Sequence, residues 1–361
     1  MNDESDKPPS KTITPRGIKV MLPHGGLPEV ISPYLLKLIS QTGGIKGPIG
    51  LQFVAQPSKE KKNLNKGVFD PLSEDHHEVA PGLVYKYKGK LNNKGELVYP
   101  GRVLWTITRF CCSYCRFCTR GREVGIIKGN GSTQAAITQK NYLDDKDIKT
   151  VLDYLKKHRE INEIILSGGD PLAAPEILIK ALKVFSDISQ IKIIRIGTRV
   201  PVSEPKLVTP KLLAAFKKVK QPLYILIHFE NADELTKETV KAITALRKSG
   251  AIIFSQTVFL AGVNDSVKVL YKLFSSLIEV GVKPYYIFRC DPVSGTEKFR
   301  VPFEKEVEIM TELRSKLSGL ACPLYVIDSP NGSGKIPVPL NFWKFDKSGY
   351  KDFNGDRSEV I

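Results

Sequence analysis

Apolar and polar positions follow two different periodicities along this chain. From about residue 100 onward, short apolar runs rich in β-branched residues alternate with longer stretches in which apolar residues recur every three or four positions. The short runs predict strands at 103–108, 163–168, 191–197, 223–229, 252–259, 283–289 and 323–328. The longer stretches predict helices that include 147–159, 210–220, 237–250 and 266–281. This alternation predicts an α/β fold with parallel strands and right-handed crossovers, as a barrel or as an open sheet.

The first 95 residues have a different pattern. They are rich in Pro, Gly and Lys and contain one short amphipathic segment, at 32–41. We therefore expect an N-terminal arm or small cap over 1–95, a barrel domain over 96–340 and a short C-terminal tail over 341–361.

Composition and charge narrow the class of protein. Of the 361 residues, 42% are hydrophobic and 25% are charged, which is typical of a globular protein. No apolar stretch approaches the ~18 residues of a membrane span, and the amino terminus lacks an apolar signal region, so we expect a cytoplasmic protein without a membrane partner. The net charge of +16 and the basic run at 59–66 raise the alternative of nucleic-acid binding. No pattern of stacking aromatics or of a recognition helix accompanies the charge, so nucleic acid is not the favoured partner.

Residues that are unusual in a strand core, either polar or glycine, fall near the carboxyl ends of the predicted strands, where barrel enzymes have their active sites. Taken alone, His228 is more simply a structural histidine, but a structural role for all of these groups together is a poor explanation. Their convergence predicts an active site. In chain order the groups are a cysteine cluster, Gly168, Gly169, Asp170, His228, Gln256, Asp291 and Asp328.

The cysteine cluster lies in the segment FCCSYCRFCTRGRE, at 110–123. Cys111, Cys115 and Cys118 form a C-x3-C-x2-C motif, which differs from the paired C-x2-C motifs of structural zinc sites. Three thiolates leave one metal coordination site open. Cys112 interrupts the spacing, and we assign it no metal. A zinc or redox site is the alternative interpretation of the cluster.

This motif at the end of the first strand, followed by a glycine-rich turn after the next, resembles the radical S-adenosylmethionine superfamily. The resemblance implies a 4Fe-4S cluster in which Cys111, Cys115 and Cys118 each hold one iron and the fourth iron chelates S-adenosylmethionine. It also implies that the Gly168, Gly169 and Asp170 turn accepts the amino group of S-adenosylmethionine. His228 and Gln256 are further expected members of that pocket.

A closer resemblance is carried by eight segments that follow one another between about residues 69 and 340. They are similar, in order and spacing, to the lysine 2,3-aminomutase family. The resemblance implies a partial (βα)6-type barrel and an isomerase that interconverts L-α-lysine and L-β-lysine by a 5′-deoxyadenosyl radical, with pyridoxal phosphate carrying the migrating amino group. The segments are DPLSEDHHEVAPGLVYKY, CRFCTRGRE, ILSGGDPL, IRIGTRVPV, HFENADELT, QTVFLAGVND, PYYIFRCDPVSG and VIDSPNGSGKIPVP.

The same resemblance assigns residues to the second cofactor. Lys335 matches the lysine that forms the Schiff base with pyridoxal phosphate. The surrounding G-S-G-K is also reminiscent of a phosphate-binding loop, but the first glycine of that motif is absent and Ile336 stands where Ser or Thr is needed. Arg102 matches an arginine near the cofactor phosphate. Val98 stands where the family often has a second arginine.

Substrate residues are implied in the same way. Arg120 matches the arginine that pairs with the substrate α-carboxylate, a task that suits a planar guanidinium. Asp291 and Asp328 match the two acids that receive the ε-ammonium of lysine, since two converging carboxylates need a cation between them. The alternative is that each acid caps a turn or pairs with a local base such as Arg289.

Several questions stay open on sequence alone. Only 26 residues follow Lys335, without a further cysteine, so the structural zinc and the tetramer of longer family members are not expected, although a homo-oligomer is. An arginine 2,3-aminomutase would use the same acids, and shorter relatives that rearrange lysine for attachment to elongation factor P have a similar length. The paired acids argue against a glutamate 2,3-aminomutase. The resemblance also implies an electron donor such as flavodoxin or ferredoxin, with a small amino acid as substrate.

Overall fold

The fold is seen in a computed structural model that describes residues 12–13, 19–21, 27–56, 67–124, 144–330, 332, 334–344, 349–351 and 357–358. The basic run at 59–66 lies outside these residues. Within them, none of the helices has both the length and the apolar character needed to cross a membrane.

The N-terminal part of the chain builds a small antiparallel sheet, two helices and two hairpins. Strands β1 to β3 pair in sequence order, and β4 pairs with β5 while β6 pairs with β7. Ser32 caps the first helix, because its hydroxyl accepts a hydrogen bond from the Leu35 amide. The elements are β1 Thr12–Ile13, β2 Lys19–Met21, β3 Glu29–Ile31, α1 Pro33–Gln41, α2 Pro48–Phe53, β4 Glu78–Ala80, β5 Leu83–Tyr87, β6 Lys90–Leu91 and β7 Leu97–Tyr99.

From residue 101 onward, parallel strands alternate with helices. All seven predicted strands and all four predicted helices are present, and α4 and α9 complete the alternation. The elements are β8 Gly101–Thr108, α3 Asp145–Lys157, β9 Ile161–Gly168, α4 Pro175–Ser186, β10 Ile193–Thr198, α5 Val200–Ser203, α6 Pro210–Phe216, β11 Leu223–His228, α7 Lys237–Lys248, β12 Ile252–Val258, α8 Val267–Glu279, β13 Lys283–Phe288, α9 Phe303–Lys316 and β14 Leu324–Asp328.

The last strands complete the architecture. They are β15 Lys335–Pro337, β16 Trp343–Lys344, β17 Gly349–Lys351 and β18 Arg357–Ser358. Short 3₁₀ turns are found at Gly44–Lys46, Asp75–His77, Pro171–Ala173, Pro205–Leu207, Ala232–Glu234 and Glu297–Phe299.

A ten-stranded sheet forms the centre of the fold. Its order is β15-β14-β13-β12-β11-β10-β9-β8-β5-β4, with β8 to β14 parallel and in sequence order. Strands β5 and β15 pair antiparallel with its two outer parallel strands. The α/β class is thereby confirmed, as a barrel-like array whose outermost strands β4 and β15 are not paired with each other in the described residues. Two strands of the predicted N-terminal arm belong to this sheet. The division of the chain into three parts stays a prediction.

The core lies between the parallel strands and the helices that cover them. In β8, β9 and β11 most residues are buried, as expected when crossover helices cover a parallel sheet. Trp105 of β8 packs edge-to-face against Phe185 of α4, with ring centroids 5.3 Å apart. Because β8 to β14 are parallel, their carboxyl ends lie at one edge of the sheet.

We predict that Phe185→Ala lowers the free energy of unfolding by about 3 to 5 kcal/mol, because it leaves a cavity beside Trp105. Urea denaturation measures this loss. Leu320, which is 65% exposed, serves as a control, and its replacement by alanine should change stability by no more than about 0.5 kcal/mol. Similar losses in both variants would show that the Phe185 contact does not stabilise the sheet.

Candidate active site

The cysteine loop leaves β8 at the carboxyl edge of the sheet. Its backbone is tied to the N-terminal segment, since the Arg116 amide donates to the Gln52 carbonyl (2.8 Å) and Arg116 Nη1 donates to the Leu27 and Pro28 carbonyls (2.9 and 3.0 Å). The predicted N-terminal arm therefore holds the cysteine loop in place. The first two cysteines of the loop, Cys111 and Cys112, have different surroundings.

Cys112 lies in a different environment from the other three thiols of the loop. It is buried in the main hydrophobic core, and its Sγ lies 3.2 Å from the Ser203 hydroxyl of α5. Cys111, Cys115 and Cys118 are partly exposed and border smaller apolar clusters outside that core. The arrangement agrees with an assignment of metal-binding roles to these three thiols and none to Cys112.

The electrostatics of the three thiols fit a cationic group. Burial raises the pKa of Cys111 well above its ordinary value, and neighbouring Asp170 adds to the effect. Burial, with the charge of Cys115, raises the pKa of Cys118 to about 12. Three thiolates therefore need a metal's positive charge to coexist here.

The spacing of the thiols bears on which metal group fits. No three Cys, His, Asp or Glu side chains in the described part of the chain converge on a single metal ion. A 4Fe-4S cluster places each thiolate on a different iron, so it does not require such convergence. The three thiols of the loop are therefore compatible with a 4Fe-4S cluster.

Arg199, which the sequence analysis did not single out, is the cationic neighbour of Cys115. Its Nη1 donates to Cys115 Sγ at 2.9 Å, and the guanidinium carbon lies 4.5 Å from the ring centroid of Phe53. Burial raises the pKa of Cys115, and Arg199 opposes this shift. Nη2 also pairs with buried Glu234 at 3.1 Å. The available sequence signal was the segment IRIGTRVPV, in which Arg199 follows β10.

The glycine turn after β9 packs directly against the cysteine loop. Gly168 has φ +123°, and a Cβ there would lie 2.1 Å from the Thr108 carbonyl oxygen. A Cβ on Gly169 would lie 2.3 Å from the Phe110 carbonyl oxygen. The amides of Gly169 and Asp170 donate to these same carbonyls, at 2.7 and 2.9 Å. Only glycine permits such an approach at both positions.

Asp170 has a structural role that the sequence analysis did not anticipate. Its buried carboxylate accepts hydrogen bonds at Oδ1 from the Leu172 amide (3.0 Å) and the Thr198 hydroxyl (2.7 Å). At Oδ2 it accepts from the amides of Arg199 (2.6 Å) and Val200 (3.0 Å). The side chain thus joins the turns that follow β9 and β10. A contact between this turn and S-adenosylmethionine stays a prediction, and it concerns the backbone more than this carboxylate.

His228 and Gln256 are neighbours, because they are register partners on β11 and β12. His228 is partly exposed, and its Nδ1 lies 3.6 Å from Oε1 of the fully buried Glu230. The structure brings both residues to the carboxyl edge, and their contact with S-adenosylmethionine stays a prediction.

The two predicted acids lie close to Lys335. Strands β14 and β15 place Asp328 opposite Lys335, and Lys335 Nζ donates to Asp328 Oδ1 at 2.6 Å. Asp291 Oδ2 accepts from the Thr119 hydroxyl at 2.9 Å. Burial and the charge of Asp328 raise the pKa of Asp291 to about 6. Arg289, the alternative partner for these acids, instead forms an ion pair with Glu306.

Arg120 lies in the same site but already has a carboxylate partner. Its Nε and Nη2 donate to Glu74 at 2.8 and 2.9 Å, and its Nη1 donates to the Ser167 hydroxyl at 3.1 Å. The sequence analysis did not single out Glu74, although it lies in the segment DPLSEDHHEV. Binding of a substrate carboxylate must use the N–H groups of Arg120 that remain.

Arg102 lies near the beginning of β8, away from the carboxyl edge where the other predicted residues meet. Its Nε is 2.8 Å from Glu163 Oε1, and Arg195 of β10 pairs with the same carboxylate. Both arginines are close enough to Tyr286 to oppose the rise in its pKa that burial causes. Tyr286 in turn lies beside Lys335, whose Nζ is 5.7 Å from the ring centroid.

Comparison with known proteins assigns this arrangement to a family. Residues 105–274 match the model of the Radical SAM superfamily. The chain is 38% identical to an L-lysine 2,3-aminomutase of Methanococcus maripaludis, over 91% of this chain and 71% of that protein. It is 37% identical to an L-lysine 2,3-aminomutase of Acetoanaerobium sticklandii, over 86% and 69%.

The chain belongs to the lysine 2,3-aminomutase family.

Two other comparisons found a relative named for another amino acid and a solved structure. The chain is 31% identical to a glutamate 2,3-aminomutase of Clostridioides difficile, over 85% of this chain and 67% of that protein. Among solved structures it is similar to a radical SAM methyltransferase from Sphaerobacter thermophilus, with a TM-score of 0.45 and 13% identity over 69% of this chain and 78% of that chain. Family membership implies a 4Fe-4S cluster and S-adenosylmethionine. The choice of amino acid must be argued from the site.

We predict that Cys111→Ala, Cys115→Ala and Cys118→Ala each abolish incorporation of the 4Fe-4S cluster into this lysine 2,3-aminomutase family member. Iron and sulfide content and visible absorbance measure the loss. Cys112→Ala is the matched control. It should retain the cluster, because its thiol faces the core and Ser203. Loss of iron in Cys112→Ala together with retention in Cys111→Ala would overturn the ligand assignment.

A second prediction concerns pH. The pKa of Asp291 rises from 3.8 to about 6 on folding, so between these values the folded state binds more protons than the unfolded state. Stability therefore falls as pH rises through this window. Relative to wild type, Asp291→Asn should gain stability between about pH 4 and pH 7, by at most about 3 kcal/mol.

Chemical denaturation of wild type and Asp291→Asn at several pH values measures the effect. Asp187→Asn is a control, since the Lys220 hydrogen bond lowers the pKa of this exposed carboxyl and no gain with rising pH is expected. A constant stability difference between Asp291→Asn and wild type from about pH 4 to pH 7 would show that ionisation of Asp291 does not destabilise the folded protein.

Proposed function

We propose that this chain is an L-lysine 2,3-aminomutase that interconverts L-α-lysine and L-β-lysine by a 5′-deoxyadenosyl radical mechanism, with pyridoxal phosphate carrying the migrating amino group. The observation that carries the proposal is the pair of Asp291 and Asp328 beside an amine, Lys335 Nζ. Family membership supports the reaction class, and the acid pair supports the choice of substrate.

The charge of the acid pair favours a cationic side chain. Burial and Asp328 raise the pKa of Asp291, while nearby Lys335 opposes that rise. A second ammonium from the substrate would stabilise both carboxylates in the same way. The side-chain carboxylate of glutamate would instead add a further negative charge. The pair therefore favours lysine over glutamate, and arginine is the alternative that shares the required charge.

The residues around Lys335 fit pyridoxal phosphate, which when bound supplies a carbonyl group that captures amines reversibly. Burial lowers the pKa of Lys335, although Asp328 opposes the shift. A lower pKa increases the fraction of neutral amine, which is the form that attacks a carbonyl. Lys335 Nζ also lies 4.4 Å from the ring centroid of Phe288, so the amine adjoins an aromatic surface that suits a planar cofactor.

The arginines near Tyr286 suit the cofactor phosphate. Arg102 and Arg195 share one carboxylate, Glu163, which leaves a net positive charge beside the aromatic side chains. Where the family often has a second phosphate arginine this chain has Val98, and Arg195 offers a second guanidinium from a different strand. We assign Arg102 to the phosphate on this basis.

The remaining proposed roles follow from the resemblance. Cys111, Cys115 and Cys118 hold the cluster, and Gly168, Gly169, Asp170, His228 and Gln256 border the S-adenosylmethionine site. An external donor such as flavodoxin or ferredoxin delivers the electron that cleaves S-adenosylmethionine. We propose a cytoplasmic enzyme that forms a homo-oligomer.

The proposal is tested by supplying L-lysine, L-arginine and L-glutamate to the reconstituted wild-type enzyme under anaerobic, reducing conditions and following β-amino products by mass. L-lysine should be the preferred substrate. Preference for glutamate would contradict the proposal. Preference for arginine would assign the chain to the alternative function, an arginine 2,3-aminomutase.

We further predict that Asp291→Asn and Asp328→Asn each reduce lysine turnover by well over tenfold. Removal of one carboxylate leaves the partly buried substrate ammonium with too little negative charge beside it, which costs on the order of 2 to 5 kcal/mol of binding free energy. Steady-state kinetics measure the effect. Iron content and cofactor absorbance serve as controls and should match wild type. Normal lysine turnover in both variants would show that the acids do not bind the substrate ammonium.

A further inference from the structure

Glu74 is a buried acid in the site to which the proposed mechanism gives no task. It is 3% exposed and directly precedes the 3₁₀ turn Asp75–His77. Its Oε2 accepts from Arg120 Nε at 2.8 Å, and its Oε1 accepts from Arg120 Nη2 at 2.9 Å and from Lys86 Nζ at 3.0 Å. Burial raises the pKa of Glu74, but Arg120 and Lys86 outweigh it and hold the pKa well below its usual range. Glu74 is therefore a fixed negative charge.

The geometry of this pair determines what Arg120 can still bind. A guanidinium carries five N–H groups in one plane. Glu74 takes the side-on pair at Nε and Nη2, and Ser167 takes one N–H of Nη1 at 3.1 Å. One N–H remains on each terminal nitrogen. The side-on edge of the guanidinium is occupied by Glu74, so an incoming carboxylate has the end-on edge, formed by Nη1 and Nη2, as the place to bind through two hydrogen bonds.

We propose that Glu74 is a positioning residue for substrate recognition, which holds the guanidinium of Arg120 so that its two terminal nitrogens face the α-carboxylate of an amino acid. The inference rests on the proposed function, in which Arg120 binds that carboxylate. Ser167 holds one of the two nitrogens from the adjacent strand β9.

The charges of the cluster agree with this role. Glu74, Arg120 and Lys86 together carry a net charge of +1, so one positive charge remains for an incoming carboxylate. Glu74 also adds to the rise in the pKa of Asp291, which places its negative charge near the proposed ammonium site. A substrate with a carboxylate at one end and an ammonium at the other matches both ends of this arrangement.

A competing hypothesis makes the opposite prediction about the effect of removing the Glu74 charge on lysine binding. If Glu74 occupies the place of the substrate carboxylate, it must leave Arg120 before lysine binds. Removal of its charge would then strengthen lysine binding. If Glu74 instead positions Arg120, removal of its charge leaves a mobile guanidinium and weakens lysine binding.

The test uses Glu74→Gln in the full chain loaded with cluster and cofactors. KM for L-lysine should rise about tenfold while kcat changes by less than about threefold, because Glu74 acts on binding and not on the reacting atoms. The inhibition constant of 1,5-diaminopentane, which has both amines of lysine but no carboxylate, should stay at its wild-type value. A lower KM, an unchanged KM, or an equal rise in the inhibition constant of the diamine would overturn the proposal.

Two further variants keep the outcome interpretable. Glu74→Asp retains the charge but is one methylene shorter, and it replaces Glu74→Gln if that variant does not fold. A higher KM for L-lysine in Glu74→Asp, with an unchanged inhibition constant of the diamine, supports the proposal. An unchanged KM in Glu74→Asp overturns it. Arg120→Lys separates the proposed role of Arg120 in carboxylate binding from the proposed role of Glu74 in positioning Arg120. If Arg120→Lys raises KM and Glu74→Gln does not, the inference about Glu74 alone fails. Absence of lysine turnover by wild type contradicts the proposed function itself.

Discussion

Two neighbouring carboxylates that share one cation are the constraint on which this site depends. Asp291 and Asp328 lie near each other at the carboxyl edge of the sheet, and Lys335 Nζ contacts Asp328 at 2.6 Å. Like charges in a partly buried site are costly unless a cation lies beside them. In the proposed function, the ε-ammonium of a lysine substrate supplies further positive charge to the same two carboxylates.

The fold places these groups together through strand order and register. Parallel strands in sequence order bring the loop after β8, with Thr119 and Arg120, to the same edge as Asp291 after β13. The antiparallel pairing of β14 with β15 sets Lys335 opposite Asp328. Glycines at 168 and 169 let the turn after β9 lie against the cysteine loop, where a side chain would collide with backbone oxygens.

Much of this architecture could be predicted from the sequence. The parallel strands could be predicted because buried strands are continuous apolar runs, and the cysteine spacing predicted the loop that is proposed to hold the metal cluster. What the sequence did not reveal are the partners of charged side chains. Arg120 pairs with Glu74, 46 positions away in the chain, and Cys115 meets Arg199, 84 positions away.

Such contacts depend on which loops meet in three dimensions, and no local periodicity encodes them. Asp170 shows the same limit, because its position in a glycine turn indicated a ligand contact while its carboxylate is bound by four donors of the protein. Substrate choice is equally hidden, since relatives named for lysine and for glutamate are both similar to this chain. In the proposed function, the acid pair is the feature of this chain that favours lysine.

The most direct test of this account is the binding of L-lysine compared with L-norleucine, which lacks only the ε-ammonium, to the cofactor-loaded wild type and to Asp328→Asn. Both ligands can be titrated without turnover by omitting the reductant. We predict that wild type prefers lysine by well over tenfold and that the variant loses most of this preference, because the ammonium then faces one carboxylate instead of two. Equal preference for lysine in both proteins, or no preference in wild type, would contradict the claim that the acid pair binds the ammonium of the substrate.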